Sequence, residues 1–211
     1  MQVLRDGLNR VIVPPVHRRT LVWIHGFGDT AELFCEDFFQ YPLIPDCKVV
    51  LPTAEARPVP CRDNMVTTAW YTNLGDSFPD DSIEPSVQRI NSILLEESKY
   101  TDTLLIGGFS QGAVLSLLCG LCRYEGNISG IIALSGFAMD YPVLESKKNT
   151  PVLLYHGAQD SIIPLSRAQS SFQRNLQGVN LTQEVHPTMP HEVYSEEYEY
   201  IKTWVKLKLN Y

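Results

Sequence analysis

The stretch from residue 102 to residue 118 constrains the fold of this chain more than any other part of its sequence. A short apolar run, residues 104–106, leads into the turn Gly108-Phe-Ser110-Gln-Gly112, and apolar residues at helical spacing follow it. A serine at so sharp a strand-to-helix corner needs residues without side chains two positions before and after it, and the two glycines meet that need. We therefore predict a nucleophile elbow, which holds the Ser110 hydroxyl above a sheet. A glycine-rich turn with an incidental serine is the alternative.

The rest of the chain alternates between segments typical of buried strands and segments typical of amphipathic helices. We predict strands near residues 20–25, 48–51, 103–108, 129–134, 151–156 and 181–186. The helix predicted at residues 82–100 has an apolar stripe made of Ile83, Val87, Ile90, Leu94 and Leu95. The stripe of the last helix is made of Tyr194, Tyr198, Ile201 and Val205. This alternation predicts an α/β fold, with a mostly parallel sheet covered by helices on both faces.

Chain length limits what can be added to this sheet. At 211 residues the sequence fits a single domain, 1–211, and leaves little for a separate lid domain. Residues 10–14 are a candidate additional edge strand, although Pro14 and Pro15 stop the run.

A serine hydroxyl is a weak nucleophile, so a histidine must accept its proton and a carboxylate must hold that histidine. Asp160 follows the strand predicted at 151–156, at the sheet edge where sites of α/β proteins collect, although a turn or helix-capping aspartate is the alternative. His191 lies on the loop before the last helix and is our candidate base, whereas His186 belongs to the strand. The catalytic residues predicted are therefore Ser110, Asp160 and His191. His156 is expected to make a structural hydrogen bond close to Asp160.

Hydrolysis of an ester also needs two N–H groups for the oxyanion of the tetrahedral intermediate. One comes from the residue after the nucleophile and the other from a loop after an early strand. We assign them to the backbone amides of Gln111 and Phe27, the latter in the loop His25-Gly-Phe27-Gly-Asp29. That loop could be any tight turn, and as a phosphate loop it lacks the Lys-Ser/Thr ending.

A long segment, residues 52–81, shows no obvious helix or strand pattern and carries Met65, Trp70 and Tyr71. Loops of this length are usually functional or disordered. We interpret the segment as an ordered wall of an acyl-binding groove, with these three residues binding substrate. In the alternative, Trp70 and Tyr71 only anchor the loop to the core.

Charge and cysteine content exclude several classes of function. The net charge of −7 makes nucleic acid an unsuitable partner, and no apolar run is long enough for a membrane span, so we expect peripheral membrane contact at most. Five widely spaced cysteines suit reduced thiols in the cytoplasm. Cys119 and Cys122 fall inside the helix after Ser110 and are interpreted as core residues. We predict neither a metal nor another cofactor.

Several motifs together resemble those of one known family. They are residues 25–29 (HGFGD), 57–59 (RPV), 70–71 (WY), 107–112 (GGFSQG), 156–157 (HG) with Asp160 and Pro164, and 190–192 (PHE). In this order they are similar to the acyl-protein thioesterases, in the phospholipase/carboxylesterase group of the α/β-hydrolases. The resemblance implies a cytosolic serine hydrolase that removes long acyl chains from protein thioesters. It also implies Ser110, Asp160 and His191 as the catalytic triad, and the amides of Phe27 and Gln111 as the oxyanion hole. Phe27 replaces the usual leucine of the family, and Thr72 replaces the usual aspartate.

Other functions stay open on the sequence alone. A short-chain carboxylesterase or a lysophospholipase would use the same residues, and a hydrolase fold that only binds a ligand is a further alternative. The acyl chain length, the choice between S-acylated proteins and acyl-ester lipids as substrates, and the oligomeric state are not defined by the sequence.

Overall fold

The computed structural model describes residues 1–73 and 81–209. Its main sheet has eight strands in the order β1-β2-β4-β3-β7-β8-β9-β10. In chain order these are β1 (Gln2–Asp6), β2 (Asn9–Val13), β3 (Arg19–Ile24), β4 (Cys47–Leu51), β7 (Thr103–Phe109), β8 (Gly130–Leu134), β9 (Val152–Gly157) and β10 (Leu181–His186). The strands from β4 to β10 in this order run parallel, and β1 and β2 add an antiparallel edge.

All six predicted strands are present, and the candidate edge strand at residues 10–14 falls in β2. The prediction that it lies at the edge was wrong, because β1 pairs with β2 on its outer side. The sequence analysis missed β1, whose residues are almost all exposed and therefore lack the apolar pattern of a core strand. The predicted fold class is confirmed.

Helices cover both faces of this sheet. They are α1 (Ala31–Gln40), α2 (Glu84–Glu97), α3 (Gln111–Leu117), α4 (Leu165–Asn175) and α5 (Ser195–Leu209). A π-helical turn, Leu118–Arg123, extends α3. In β7, Leu104 and Ile106 pack on the face that carries α2 and α3, and Leu105 packs on the opposite face. Because strand side chains alternate between faces, a strand buried on both sides is a continuous apolar run.

The apolar stripe of α2 is narrower than predicted. Ile83, Val87, Ile90 and Leu94 are buried, but Leu95 is 60% exposed. It follows Leu94 by one residue, which is a rotation of about 100° around a helix, so it points away from the sheet. Of the stripe predicted for the last helix, Tyr198, Ile201 and Val205 are buried on α5. Tyr194 lies one residue before this helix and is half-buried.

Residues 52–81 differ from the prediction. Two short strands, β5 (Ala56–Val59) and β6 (Met65–Thr68), pair antiparallel as a hairpin outside the main sheet. Asp63 and Asn64 form its turn with positive φ angles of 53° and 57°, which these two residue types tolerate. Pro58 within β5 hid the strand pattern. The part of the predicted groove wall at residues 74–80 lies outside the described residues. Within the described ranges, no helix is both long and apolar enough to cross a bilayer.

Candidate active site

Ser110 occupies a strained corner between β7 and α3. Its φ and ψ angles are 56° and −117°, a region that residues with a side chain rarely adopt. A Cβ placed on Gly108 or Gly112 would lie 2.4 or 2.0 Å from the carbonyl oxygen of Ile24, the last residue of β3. Because the obstructing atoms are backbone atoms, neither position accepts a side chain. The structure therefore has the geometry of the predicted elbow.

The structure joins the three predicted catalytic side chains in one hydrogen-bonded chain. Nε2 of His191 lies 2.8 Å from Oγ of Ser110, and Nδ1 of His191 lies 2.6 Å from Oδ2 of Asp160. The His191 loop packs tightly on the end of β9, since a Cβ on Gly157 would lie 2.0 Å from the carbonyl oxygen of Met189. Three elements far apart in sequence thus meet at the carboxyl edge of the sheet.

The environment of Asp160 determines which atoms carry protons in the hydrogen-bonded chain of Ser110, His191 and Asp160. Burial raises the pKa of Asp160, but hydrogen bonds from His156, His191 and the Ile163 amide outweigh it and hold the pKa well below its usual range. Its other oxygen, Oδ1, accepts the Ile162 and Ile163 amides at 2.9 and 2.8 Å. An ionised Asp160 requires the proton on Nδ1 of His191, so Nε2 accepts the hydrogen bond of the Ser110 hydroxyl.

The other downstream histidines lie where the sequence analysis expected them. His156 is buried beside Asp160, with Nε2 at 2.8 Å from the Ile163 carbonyl oxygen and 3.3 Å from Asp160 Oδ2. Its Nδ1 has no hydrogen-bond partner within the described residues. His186, on β10, packs edge-on against Tyr194 and accepts the Thr188 amide at 3.4 Å. Its contacts are with its own loop.

The two amides assigned to the oxyanion belong to residues close to Ser110, because Gln111 follows it in sequence and the turn of Phe27 borders it. Phe27 is the second residue of a turn closed by the Asp29 amide on the Gly26 carbonyl, and Gly28 has a φ of +80° there. A Cβ on Gly26 would lie 3.5 Å from Cβ of Ser110, so this turn borders the serine directly. Gln111 is the first residue of α3, where backbone N–H groups have no partner inside the helix.

Two residues of the 25–29 loop have roles that the sequence analysis did not assign. His25 is buried, donates from Nδ1 to the Gly26 carbonyl at 2.6 Å and accepts the Ala54 amide on Nε2 at 2.9 Å. Burial lowers the pKa of His25 to about 4, so the ring is neutral and supports the loop. The Asp29 carboxyl lies beside Gly26, and burial raises its pKa. In the sequence, the only signal for these roles was that both residues lie next to the glycines of the loop.

The three residues assigned to substrate binding lie in different environments. Met65 opens β6 and is 48% exposed. Trp70 and Tyr71 are 1% and 3% exposed. The Trp70 ring packs 5.1 Å from the His25 ring, and its Nε1 donates to the His25 carbonyl at 2.9 Å. These contacts favour the alternative interpretation of Trp70, in which it anchors the segment.

The contacts and burial of Thr72, Cys119 and Cys122 give little sign of further chemistry. The Thr72 amide donates to Oγ of Ser82 at 2.9 Å, which ties the segment to the start of α2. Cys119 is buried and Cys122 half-buried in the π-helical turn, and burial raises the pKa of Cys122 to about 11. Within residues 1–73 and 81–209, no group of three or more histidine, cysteine or acidic side chains is placed to hold a metal ion.

The strand order, the helices on both faces and the serine at the corner after β7 define an α/β-hydrolase. The profile described as phospholipase/carboxylesterase matches residues 9–209, and the chain belongs to this family. The resemblance found in the sequence is therefore confirmed. The chain is accordingly an enzyme that hydrolyses carboxylic esters or thioesters.

Named relatives include both thioesterases and carboxylesterases. Acyl-protein thioesterase 1 of Schizosaccharomyces pombe is 32% identical over 184 residues, which are 80% of this chain and 82% of the relative. Carboxylesterase SOBER1 of Arabidopsis thaliana is 25% identical, over 91% of each chain. The crystal structure of Zea mays acyl-protein thioesterase 2 is similar with a TM-score of 0.84 at 25% identity, covering 97% of this chain and all of that one.

Proposed function

We propose that this enzyme cleaves medium to long acyl chains from cysteine thioesters of S-acylated proteins, with acyl-ester lipids as further substrates, through an acyl-serine intermediate. The observation that carries the proposal is the continuous hydrogen-bonded chain Ser110–His191–Asp160 next to the turn of Phe27. A thioesterase relative that is 32% identical supports the thioester as the bond attacked.

In the first half of the reaction, Ser110 attacks the thioester carbonyl carbon while Nε2 of His191 takes its proton. The carbonyl oxygen becomes an oxyanion that accepts hydrogen bonds from the amides of Phe27 and Gln111. Asp160 stabilises the imidazolium that forms. When the tetrahedral intermediate collapses, the carbon–sulfur bond breaks, and His191 returns the proton to the leaving thiolate.

In the second half, a water molecule takes the place of the thiol. His191 removes one proton from the water as its oxygen attacks the acyl-serine carbonyl carbon. The same two amides hold the second oxyanion. Collapse breaks the bond between the acyl group and Ser110, whose oxygen recovers a proton from His191, and the fatty acid leaves.

A short-chain carboxylesterase is the second candidate, and one observation favours it. Trp70 is buried beneath the 25–29 loop, so it does not offer its ring as a wall of an open acyl groove. A carboxylesterase relative at 25% identity is consistent with this reading of the site.

Two measurements test the proposal. Labelling with a fluorophosphonate should modify Ser110, located by mass spectrometry of peptides, and modification at another serine would refute the assignment. A series of matched thioesters of increasing chain length should then give rising kcat/KM, because each buried methylene contributes up to about 0.8 kcal/mol. A maximum at acetyl or butyryl would replace the thioesterase proposal with the carboxylesterase.

We also propose that the enzyme acts in the cytoplasm. All five cysteines are free thiols in the structure, which is the usual state in a reducing compartment. Fractionation of cells that produce the tagged protein tests this, and recovery in the secreted fraction would contradict it.

A further inference from the structure

Residues 68–71, here named the bridging segment, lie between the turn of Phe27 and the start of α3. They comprise the last residue of β6 and the three residues after it, and they precede the residues that the structure leaves undescribed. Both proposed oxyanion donors therefore have this segment as a common neighbour.

On one side, the bridging segment binds the 25–29 loop with three hydrogen bonds. The Gly28 amide donates to the Thr68 carbonyl at 2.8 Å, and Oγ1 of Thr68 donates to the Asp29 carbonyl at 2.6 Å. The third bond is that of the Trp70 indole to the His25 carbonyl. These bonds hold the loop from which the Phe27 amide projects.

On the other side, the bridging segment binds the Gln111 side chain. Oε1 of Gln111 accepts the Trp70 amide at 2.9 Å, and its Nε2 donates to the Tyr71 carbonyl at 2.7 Å. These two bonds fix the orientation of the Gln111 carboxamide, because the Trp70 amide must face its oxygen and the Tyr71 carbonyl must face its nitrogen. Gln111 is 3% exposed, so neither backbone group has water as a replacement partner.

We propose that the Gln111 side chain is a positioning residue, which acts through the bridging segment to set the distance between the two oxyanion donors. The donors belong to different elements, and one oxygen atom must lie within about 2.7–3.1 Å of both. The pairing of Ile24 with Gly108 fixes the strand ends, but the loop beyond Ile24 is held by the bridging segment. The inference rests on the proposed function, because it assumes that Phe27 and Gln111 supply these amides.

Two substitutions, Gln111→Met and Trp70→Phe, test the proposal. Gln111→Met keeps the size and removes both hydrogen bonds, so kcat/KM should fall about 10-fold or more with KM little changed. Affinity for an alkyl boronic acid, whose adduct with Ser110 is tetrahedral, should fall by the same factor. Trp70→Phe removes the bond to the His25 carbonyl and leaves a small cavity, while the backbone bonds of Trp70 and Tyr71 to Gln111 are kept. It should act in the same direction and serves if Gln111→Met does not fold.

Gln111→Glu adds a readout that a purely structural role would not change. An ionised glutamate has no proton to donate to the Tyr71 carbonyl, so two acceptor oxygens would face each other there. A protonated glutamate restores both hydrogen bonds. Because position 111 is 3% exposed, burial should raise the pKa of a glutamate there above its ordinary range. The activity of this variant relative to wild type should therefore rise as the pH falls from about 8 to about 5.5, while the relative activity of Gln111→Met stays constant. A flat ratio for both variants would overturn the proposal.

A matched control separates positioning from loss of stability. The hydroxyl of Ser171 accepts the Ala138 amide at 2.9 Å and donates to the Ala168 carbonyl at 2.7 Å, so it is a buried tether elsewhere in the fold. Ser171→Ala should lower the melting temperature and leave kcat unchanged. Failure of wild type to be labelled at Ser110 would refute the proposed function, whereas labelled protein with wild-type kinetics in Gln111→Met and Trp70→Phe would refute only the positioning role.

Discussion

The two flanks of Ser110 are built from different kinds of buried polar contact. On the acid–base flank, His156 and His191 both approach Oδ2 of the Asp160 carboxylate, at 3.3 and 2.6 Å. On the oxyanion flank, the hydrogen bonds of Trp70 and Gln111 described above join neutral groups to backbone.

Both flanks contain a buried histidine, so burial alone does not make the difference. His25 contacts only the Gly26 carbonyl and the Ala54 amide through its ring nitrogens, and its low pKa keeps it neutral. The comparison teaches that proton transfer is organised on one flank, while on the other the uncharged side chains of His25, Trp70 and Gln111 form a neutral frame that holds the donors in place. Such a frame can stabilise an oxyanion without changing its own charge.

The nucleophile serves both flanks, so its loss should have the largest effect. Ser110→Ala should reduce hydrolysis by about 10⁴-fold or more, because the covalent route disappears. The protein should stay folded, with unchanged circular dichroism. Appreciable esterase activity in a folded Ser110→Ala protein would contradict the assignment.

The acid–base flank can be broken at its histidine. His191→Ala should lower kcat by about 10³-fold, since the base that activates the serine is removed. His186→Ala is the matched control, because His186 lies five residues earlier and contacts its own loop. It should keep most of the activity, and the opposite ranking would identify His186 as the base.

Acid unfolding should distinguish the flanks by pH. A folded-state pKa of about 4 for His25, against 6.5 as its ordinary value, means that the unfolded state binds more protons between these values, so stability is lost as the pH falls from about 6.5 to 4. The loss amounts to at most about 3 kcal/mol. Asp160, whose pKa is lowered, contributes stability that is lost only below its unfolded value of 3.8. The oxyanion flank should therefore weaken first.

Urea denaturation of wild type and His25→Gln across this range measures the effect. Burial raises the pKa of Glu197 to about 8, so the protein loses stability at this residue as the pH rises from 4.5 to 8. This trend is opposite to that of His25. The informative quantity is therefore the difference between the two proteins, which should shrink as the pH falls. Parallel curves would show that His25 does not titrate in this way.

The smallest effects should come from the residues first assigned to the acyl groove. Met65→Ala should lower kcat/KM a few-fold for long chains and leave acetyl esters unchanged, because Met65 is partly exposed on the hairpin and can cover part of a long chain. Trp70→Phe should lower hydrolysis of all chain lengths by one common factor, as expected for the neutral frame. A loss restricted to long chains in Trp70→Phe would return Trp70 to the groove wall.

The acid–base flank was accessible to sequence analysis because its signals are local. Gly108, Ser110 and Gly112 fall within five residues, and Asp160 and His191 each follow a strand whose carboxyl end reaches the same sheet edge. The neutral frame on the oxyanion flank was not accessible, because its hydrogen bonds join residues that lie far apart in the sequence. Nothing near Trp70 indicates that its partners are His25 and Gln111, 45 and 41 residues away.

Those two corner glycines also have a mechanical consequence. A Cβ on either glycine would clash with the carbonyl oxygen of Ile24, the residue from which the 25–29 loop departs, and a Cβ on Gly112 would also lie 2.7 Å from the carbonyl oxygen of His25. Any shift of α3 toward β3 therefore meets backbone that cannot yield, and the load passes directly into the loop carrying Phe27. We therefore expect α3 and the base of the loop, at Ile24 and His25, to move together, whereas the position of Phe27 farther along the loop still depends on the bridging segment.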